Sequence, residues 1–261
     1  MNSEAPCFYF RIVINKTTQI IVDQGNTTSK FGFFSGRTLL HFARVDDRNK
    51  EEVNGLLEQI SNVDLFISSV REQYDLSGFS LNQNIHIIPF HRELQLPISL
   101  WYETPATLGV DRIANAVAAN DRFRGERSLI VDAGTCITYT WVENNALIGG
   151  AISPGITMRY NALHEFTGKL PQLESEIRQV PLLGTTTSGS MHSGVINGIE
   201  AEIQGMIKKF CSENGEFNVI ITGGDGGYLG SRMKTTIFAL PHLTIEGLNS
   251  IYAFNYREKI F

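Results

Sequence analysis

The sequence predicts an α/β protein of two similar lobes with a nucleotide cleft between them, each lobe in a βββαβαβα-like order. Three observations carry that expectation. The stretch Asp23-Gln24-Gly25-Asn26-Thr27-Thr28 is answered by Asp132-Ala133-Gly134-Thr135 in the second half of the chain. Each is entered through an apolar run, Ile20-Ile21-Val22 or Leu129-Ile130-Val131, and left through a second one that holds Phe31, Phe33 and Phe34, or Ile137, Tyr139 and Trp141. That is strand, glycine turn, strand, written twice. Three strands and then a helix follow in both halves, an internal repeat of architecture whose residues have diverged.

A turn of this kind suits a nucleotide. Glycine lets the backbone bend without a Cβ, so amide N–H groups and Asn or Thr side chains converge on phosphate oxygens. An aspartate at the strand end faces the same space, where a carboxylate can hold Mg2+ or another cation. One Asp-x-Gly-Asn hairpin alone is an ordinary type I′ turn; the pairing raises it above that.

A chain of 261 residues, 42% hydrophobic and 19% charged, can bury a substantial core in one domain or two, and the paired turns favour two. The expected divisions are an N-terminal extension or edge strand over 1–18, one lobe over 19–121 and another over 122–261. A net charge of -5 without a Lys/Arg cluster argues against nucleic acid as a partner. No apolar run reaches the roughly 18 residues that span a bilayer. Cys7, Cys136 and Cys211 lie far apart with no ligand spacing, which fits reduced cytoplasmic thiols.

In chain order, Phe8 to Ile14 reads as one extra edge strand or as an appended tail. A third strand falls at Leu39-Leu40-His41-Phe42. Val53, Leu56, Leu57 and Ile60 recur at helical spacing over Glu51 to Ile60, with acids in the first turn. Leu65 to Val70 is a buried strand, followed by a polar segment with room for a short helix and by a strand from Ile85 to Ile88 that Pro89 closes.

Tyr102 to Arg112 opens a helix to about Asp121, with Val110, Ile113, Ala114 and Val117 as its core face. Spacing alone favours Asp111 as a carboxylate that suits the helix dipole, worth roughly 0.3–1 kcal/mol, over Asp111 as a catalytic base. The second lobe repeats the opening with strands at Ser128 to Val131, Cys136 to Val142 and Ala146 to Ile152, then a helix from Pro154-Gly155 to about Phe166.

Thr185-Thr186-Thr187 precedes a helix to about Cys211 and supplies hydroxyls and N–H groups for a cap or for a polar ligand. Asn218 to Ile221 is a strand that ends in Thr222-Gly223-Gly224-Asp225. A last strand, Ile237 to Leu240, leads to a C-terminal helix with Leu243, Leu248, Ile251, Tyr252 and Phe254.

These residues together resemble the type III pantothenate kinases of the actin-like ATPase and sugar kinase superfamily, over nearly everything from Ile20 to Phe254. The resemblance rests on DQGNT (Asp23 to Thr27), TPATLGVDR (Thr104 to Arg112), DAGT (Asp132 to Thr135), GGAISPGI (Gly149 to Ile156), TTTSGSMHSG (Thr185 to Gly194) and TGGD (Thr222 to Asp225). It implies two ribonuclease-H-like lobes and ATP-dependent phosphorylation of pantothenate at its primary hydroxyl.

Carried over by motif, Asp23, Gln24, Gly25, Asn26, Thr27, Thr28, Ser29 and Lys30 would cradle ATP phosphates, with Thr135 also touching them. Tyr102, Gly109, Val110, Asp111, Arg112 and Thr187 would hold pantothenate, and Asp111 would accept the hydroxyl proton. Asp132 would bind a monovalent cation, potassium or ammonium, with Mg2+ on the phosphates, in a homodimer. Thr104-Pro105 and Cys136-Ile137 replace the family's common Asn-Pro and Ala-Thr, and neither change removes a catalytic group. Two other classes share the pattern: a nucleotide-binding regulator without turnover, and a related kinase or phosphohydrolase that needs no pantothenate.

Overall fold

Two sheets built on one strand order carry the fold. The first contains β1 (Gln19–Gln24), β2 (Ser29–Ser35), β3 (Thr38–Val45), β4 (Val63–Ser69) and β5 (Ile85–Pro89), arranged β3-β2-β1-β4-β5. The second contains β6 (Ser99–Leu100), β7 (Ser128–Ala133), β8 (Cys136–Glu143), β9 (Ala146–Pro154), β10 (Asn218–Thr222) and β11 (Phe238–Ala239), arranged β11-β10-β7-β8-β9-β6. In each sheet an antiparallel β-meander pairs its first strand in parallel with a later one, β1 with β4 and β7 with β10. The short β6, which the sequence pattern did not announce, extends the second sheet beyond β9. The repeat expected from the paired turns is thus the observed topology.

This computed structural model describes residues 11–25, 28–46, 50–71, 73–175, 179–233 and 236–257. The chain divides into two units. The first holds the described residues up to Pro97, then Thr104–Ala118 and the chain from His242 onward; the second holds Ile98–Glu103 and Ala119–Pro241. The C-terminal helix therefore belongs with the first sheet, although its place in the sequence suggested the second lobe.

In the first unit every residue of β1 is buried, as a central strand covered on both faces must be. One face carries Ile20, Val22, Phe31 and Phe33 against Val53, Leu56 and Leu57 of α2 (Glu51–Leu57). The other carries Phe66 against Tyr252 of the C-terminal helix, at 5.8 Å between ring centroids. Buried Gln19 donates to Asn249 of that helix at 2.7 Å.

Two expectations are corrected here. Residues 11–16 lie in a helix, α1, and not in an edge strand. Val13 is fully buried in the first core, and packing of that side chain outweighs the strand preference of Ile12-Val13-Ile14. The polar segment after β4 forms turns and no helix among its described residues, because Gln24 and Ser69 tie it down through hydrogen bonds to its backbone.

Helix α3 (Val110–Phe123) starts in the first unit after a single 3-10 turn at Pro105–Thr107, and it ends in the second. The second core packs β7 and β8 against α4 (Ile156–Glu165), α5 (Thr187–Asn214) and α6 (Gly226–Arg232), with Tyr139, Trp141, Tyr160 and Ile199 among its buried residues. Helix α7 (Leu243–Tyr256) closes the described chain. Among the described residues no helix is long and apolar enough to cross a membrane.

Candidate active site

The first turn is shaped by register. In the β1–β2 hairpin Asp23 pairs across the strands with Lys30, and the Lys30 ammonium reaches the Asp23 carboxylate at 2.9 Å. Asp23 is buried, so this pair is screened less than a surface one. The Gly25 N–H donates to the Thr28 carbonyl at 2.9 Å and closes the turn. Ser29 is buried at the start of β2. Asn26 and Thr27 lie outside the described residues.

Gln24 does not aim its side chain at that turn. Its amide donates to the Asp75 carbonyl at 2.6 Å and accepts from the Asp75 N–H at 2.8 Å and the Ser69 hydroxyl at 3.2 Å. It braces the turn from behind.

Helix α3 presents the second element. Asp111 lies in its first turn, and its carboxylate accepts the N–H of Arg112 at 2.8 Å. Gly109 stands close before it: a Cβ there would stand 2.3 Å from the Asp111 carboxylate oxygen, so a larger residue would displace that carboxylate. Burial pushes the Asp111 carboxyl above the ordinary carboxylate range, and the charge of Asp23 adds to this. The Arg112 N–H, Lys30 and the buried Arg112 guanidinium pull the other way without cancelling it. Asp23, Lys30 and Asp111 thus share one electrostatic neighbourhood. Val110 occupies the first helical position beside them.

Arg92, which no spacing singled out, holds this element in place. It donates to the carbonyls of Pro105 and Leu108, both at 3.0 Å. A lone arginine ahead of a loop gives no local signal, so only the fold reveals the clamp.

In the second unit, the Asp132 to Thr135 turn is pressed between two glycines. Gly223 has φ +89, and a Cβ on it would stand 2.3 Å from the Ala133 carbonyl oxygen and 2.4 Å from the Asp132 carboxylate. On Gly155 a Cβ would stand 2.2 Å from the Gly134 carbonyl oxygen. The Asp225 N–H donates to the Ala133 carbonyl at 2.9 Å. One half-buried carboxylate among backbone carbonyls is an all-oxygen set, which suits potassium or Mg2+ and not a thiolate- or imidazole-seeking metal. Among the described residues no group of three or more His, Cys, Asp or Glu side chains is placed to hold a metal.

Thr135 is exposed in the same turn, and Tyr102 is half-buried just after β6. Thr187 opens α5, whose cap is Thr186 accepting from the Gly189 N–H at 3.0 Å. Thr187 also lines an open cavity of about 1160 Å3 between α4 and the start of α5, along with Arg159, Phe166, Leu170, Thr185 and Met191.

The family model for type III pantothenate kinase matches residues 19–209. The type III pantothenate kinase of Cytophaga hutchinsonii is 41% identical over 237 residues, covering 90% of this chain and 99% of its own. That of Bacteroides fragilis is 35% identical over 238 residues, covering 90% and 98%. Among solved structures, a Campylobacter jejuni protein named for a Baf family of transcriptional activators superposes with TM-score 0.58 at 23% identity, covering 90% of this chain and 98% of its own. A Sinorhizobium meliloti protein named as a 2-dehydro-3-deoxygalactonokinase superposes with TM-score 0.57 at 12% identity, covering 92% and 99%. These two likenesses speak for the fold alone.

Proposed function

The chain belongs to the type III pantothenate kinase family and phosphorylates pantothenate with ATP in the first step of coenzyme A biosynthesis; from that premise we propose that Asp111 is the general base. The observation that carries the proposal is the Asp111 carboxylate, raised by burial and set beside the Asp23–Lys30 pair. A carboxylate with a raised pKa is the stronger proton acceptor.

In the reaction the primary hydroxyl oxygen of pantothenate forms a bond to the γ-phosphorus, and the bond to the β–γ bridging oxygen breaks. ADP leaves with that electron pair, and Asp111 takes the hydroxyl proton. In a loose transition state the proton moves late, so positioning and charge on the γ-phosphate contribute more than base strength. Lys30 supplies fixed positive charge on the Asp23 side, and Gly25, Thr28 and Ser29 present the turn to the phosphates. Gly109, Val110 and Arg112, with Tyr102 and Thr187, are the residues assigned to pantothenate, and Thr135 to ATP.

Asp132 would hold potassium or ammonium, and Asp23 is the carboxylate suited to hydrated Mg2+. When bound, such cations add positive charge to the phosphates, which a chain of net charge -5 otherwise lacks. Phe166, Leu182 and Leu183, exposed at 81%, 84% and 79%, support a homodimer through the second unit. A cytoplasmic site of action without nucleic acid or membrane partners belongs to the same reading, as ATP is the donor.

ADP release from the purified protein with Mg-ATP in potassium buffer, with and without pantothenate, tests the reading. Pantothenate-dependent release is expected. Release without pantothenate would indicate a hydrolase, and ATP binding without release a regulator.

A further inference from the structure

The turn that leads into α3 makes its own hydrogen bonds locally. The Thr107 N–H and hydroxyl donate to the Thr104 carbonyl at 3.1 and 3.0 Å, and the Leu108 N–H donates to the Pro105 carbonyl at 3.3 Å. Gly109 then joins the turn to the helix, and a residue without a Cβ leaves that joint free to swing. Arg92 spans the turn: Nη1 donates to the Pro105 carbonyl and Nη2 to the Leu108 carbonyl, both at 3.0 Å. Leu108 is buried at 1% exposure, so water cannot readily replace the second bond.

Arg92 stands on a strap, residues 90–95, that is tied on both sides of it. Before it, the Phe90 N–H donates to the Ile67 carbonyl of β4 at 2.7 Å. After it, Gln95 exchanges two bonds with the Asn255 side chain of α7: its N–H donates at 3.1 Å and its carbonyl accepts at 2.8 Å. The strap, the turn and the start of α3 all belong to the first unit.

We infer that Arg92 is a positioning residue for phosphoryl transfer, whose guanidinium fixes the segment 109–112 and so sets the acceptor and the Asp111 base in place. The inference rests on the kinase reading above and adds to it a residue that acts through the backbone. A planar fork with donors in fixed geometry suits two carbonyls of one turn, which a single ammonium does not hold together. Precision matters at this joint, because a displacement of about 1 Å in a reacting group can cost about 10²-fold in rate.

The test uses the full chain with Arg92→Ala and Arg92→Lys. For Arg92→Ala, kcat should fall and the KM for pantothenate rise, together lowering kcat/KM roughly tenfold or more, the usual worth of a charged hydrogen bond. The KM for ATP should move less than about twofold. Arg92→Lys should recover part of the loss, since an ammonium reaches one of the two carbonyls. Millimolar guanidinium should restore part of the Arg92→Ala activity, and potassium chloride at the same ionic strength should not. Unchanged values for pantothenate, an equal rise in both KM values, a lower kcat with both KM values unchanged, or a loss that neither lysine nor guanidinium relieves overturns the inference and leaves the kinase reading standing. A wild-type protein with no pantothenate-dependent turnover overturns both.

Discussion

Gly247 of α7 lies against the backbone of Ala114 in α3 with no room for a side chain: a Cβ at Gly247 would stand 1.8 Å from the Ala114 carbonyl oxygen. Beside it Thr244 donates to buried Asn115 at 2.9 Å. The C-terminal helix is therefore seated on the helix that carries Asp111.

Gly247→Ala must force these helices apart. Overpacking of this kind costs about 1–3 kcal/mol, or a fall in Tm of at least ~3 °C, readable by thermal unfolding. Turnover should fall with it, since α3 positions the base. An unchanged Tm would show that α7 does not make this contact.

Asp111→Asn should lower kcat by 10²-fold or more, within the usual range for a lost general base, while ATP affinity holds. Its effect on stability has the opposite sign. A carboxyl whose folded-state pKa is raised contributes stability below its unfolded value and loses it as pH rises through the folded value. At neutral pH the ionised group costs stability, so the Asn variant should melt higher than wild type. A lower Tm at pH 7 would contradict the raised pKa.

Lys30→Met removes the cation that faces Asp23 and also one that lowers the Asp111 pKa. The KM for ATP should rise roughly tenfold, the scale of one charge-assisted contact. The acid limb of the pH profile for kcat/KM should move to higher pH, because the base then titrates higher. A limb that stays in place would separate Lys30 from Asp111.

Gly223→Ala puts a methyl group against Asp132 and the Ala133 carbonyl at a backbone φ of +89. Activity in potassium should drop towards the level seen in sodium, and the difference between the two salts should shrink. Equal rates in both salts for wild type would argue against a selective cation site at Asp132.

Much of the fold was legible because its signals are local. Alternating apolar residues on both sides of Gly25 and Gly134 announced the hairpins, and the same order in both sheets followed. What escaped depends on partners far along the chain. The Gln24 side chain meets Asp75, Arg92 meets Leu108, and Arg159 meets Glu202, and none of these pairs leaves a periodic trace. The helix over residues 11–16 escaped for a related reason: the stretch read as an edge strand or a tail, and burial of Val13 set a helix against its β-branched preference. The sheet on which α7 packs was equally invisible, since a helix's apolar face does not name its destination.

That return of α7 to the first sheet also sets an order of events in synthesis. A ribosome delivers all of β1 to β5 early, but the surface around Phe66 stays bare until Leu243–Tyr256 has been made. The second unit, whose residues all precede that helix, is free to finish first. Synthesis of α7 then closes the sheet whose strands were made well before it.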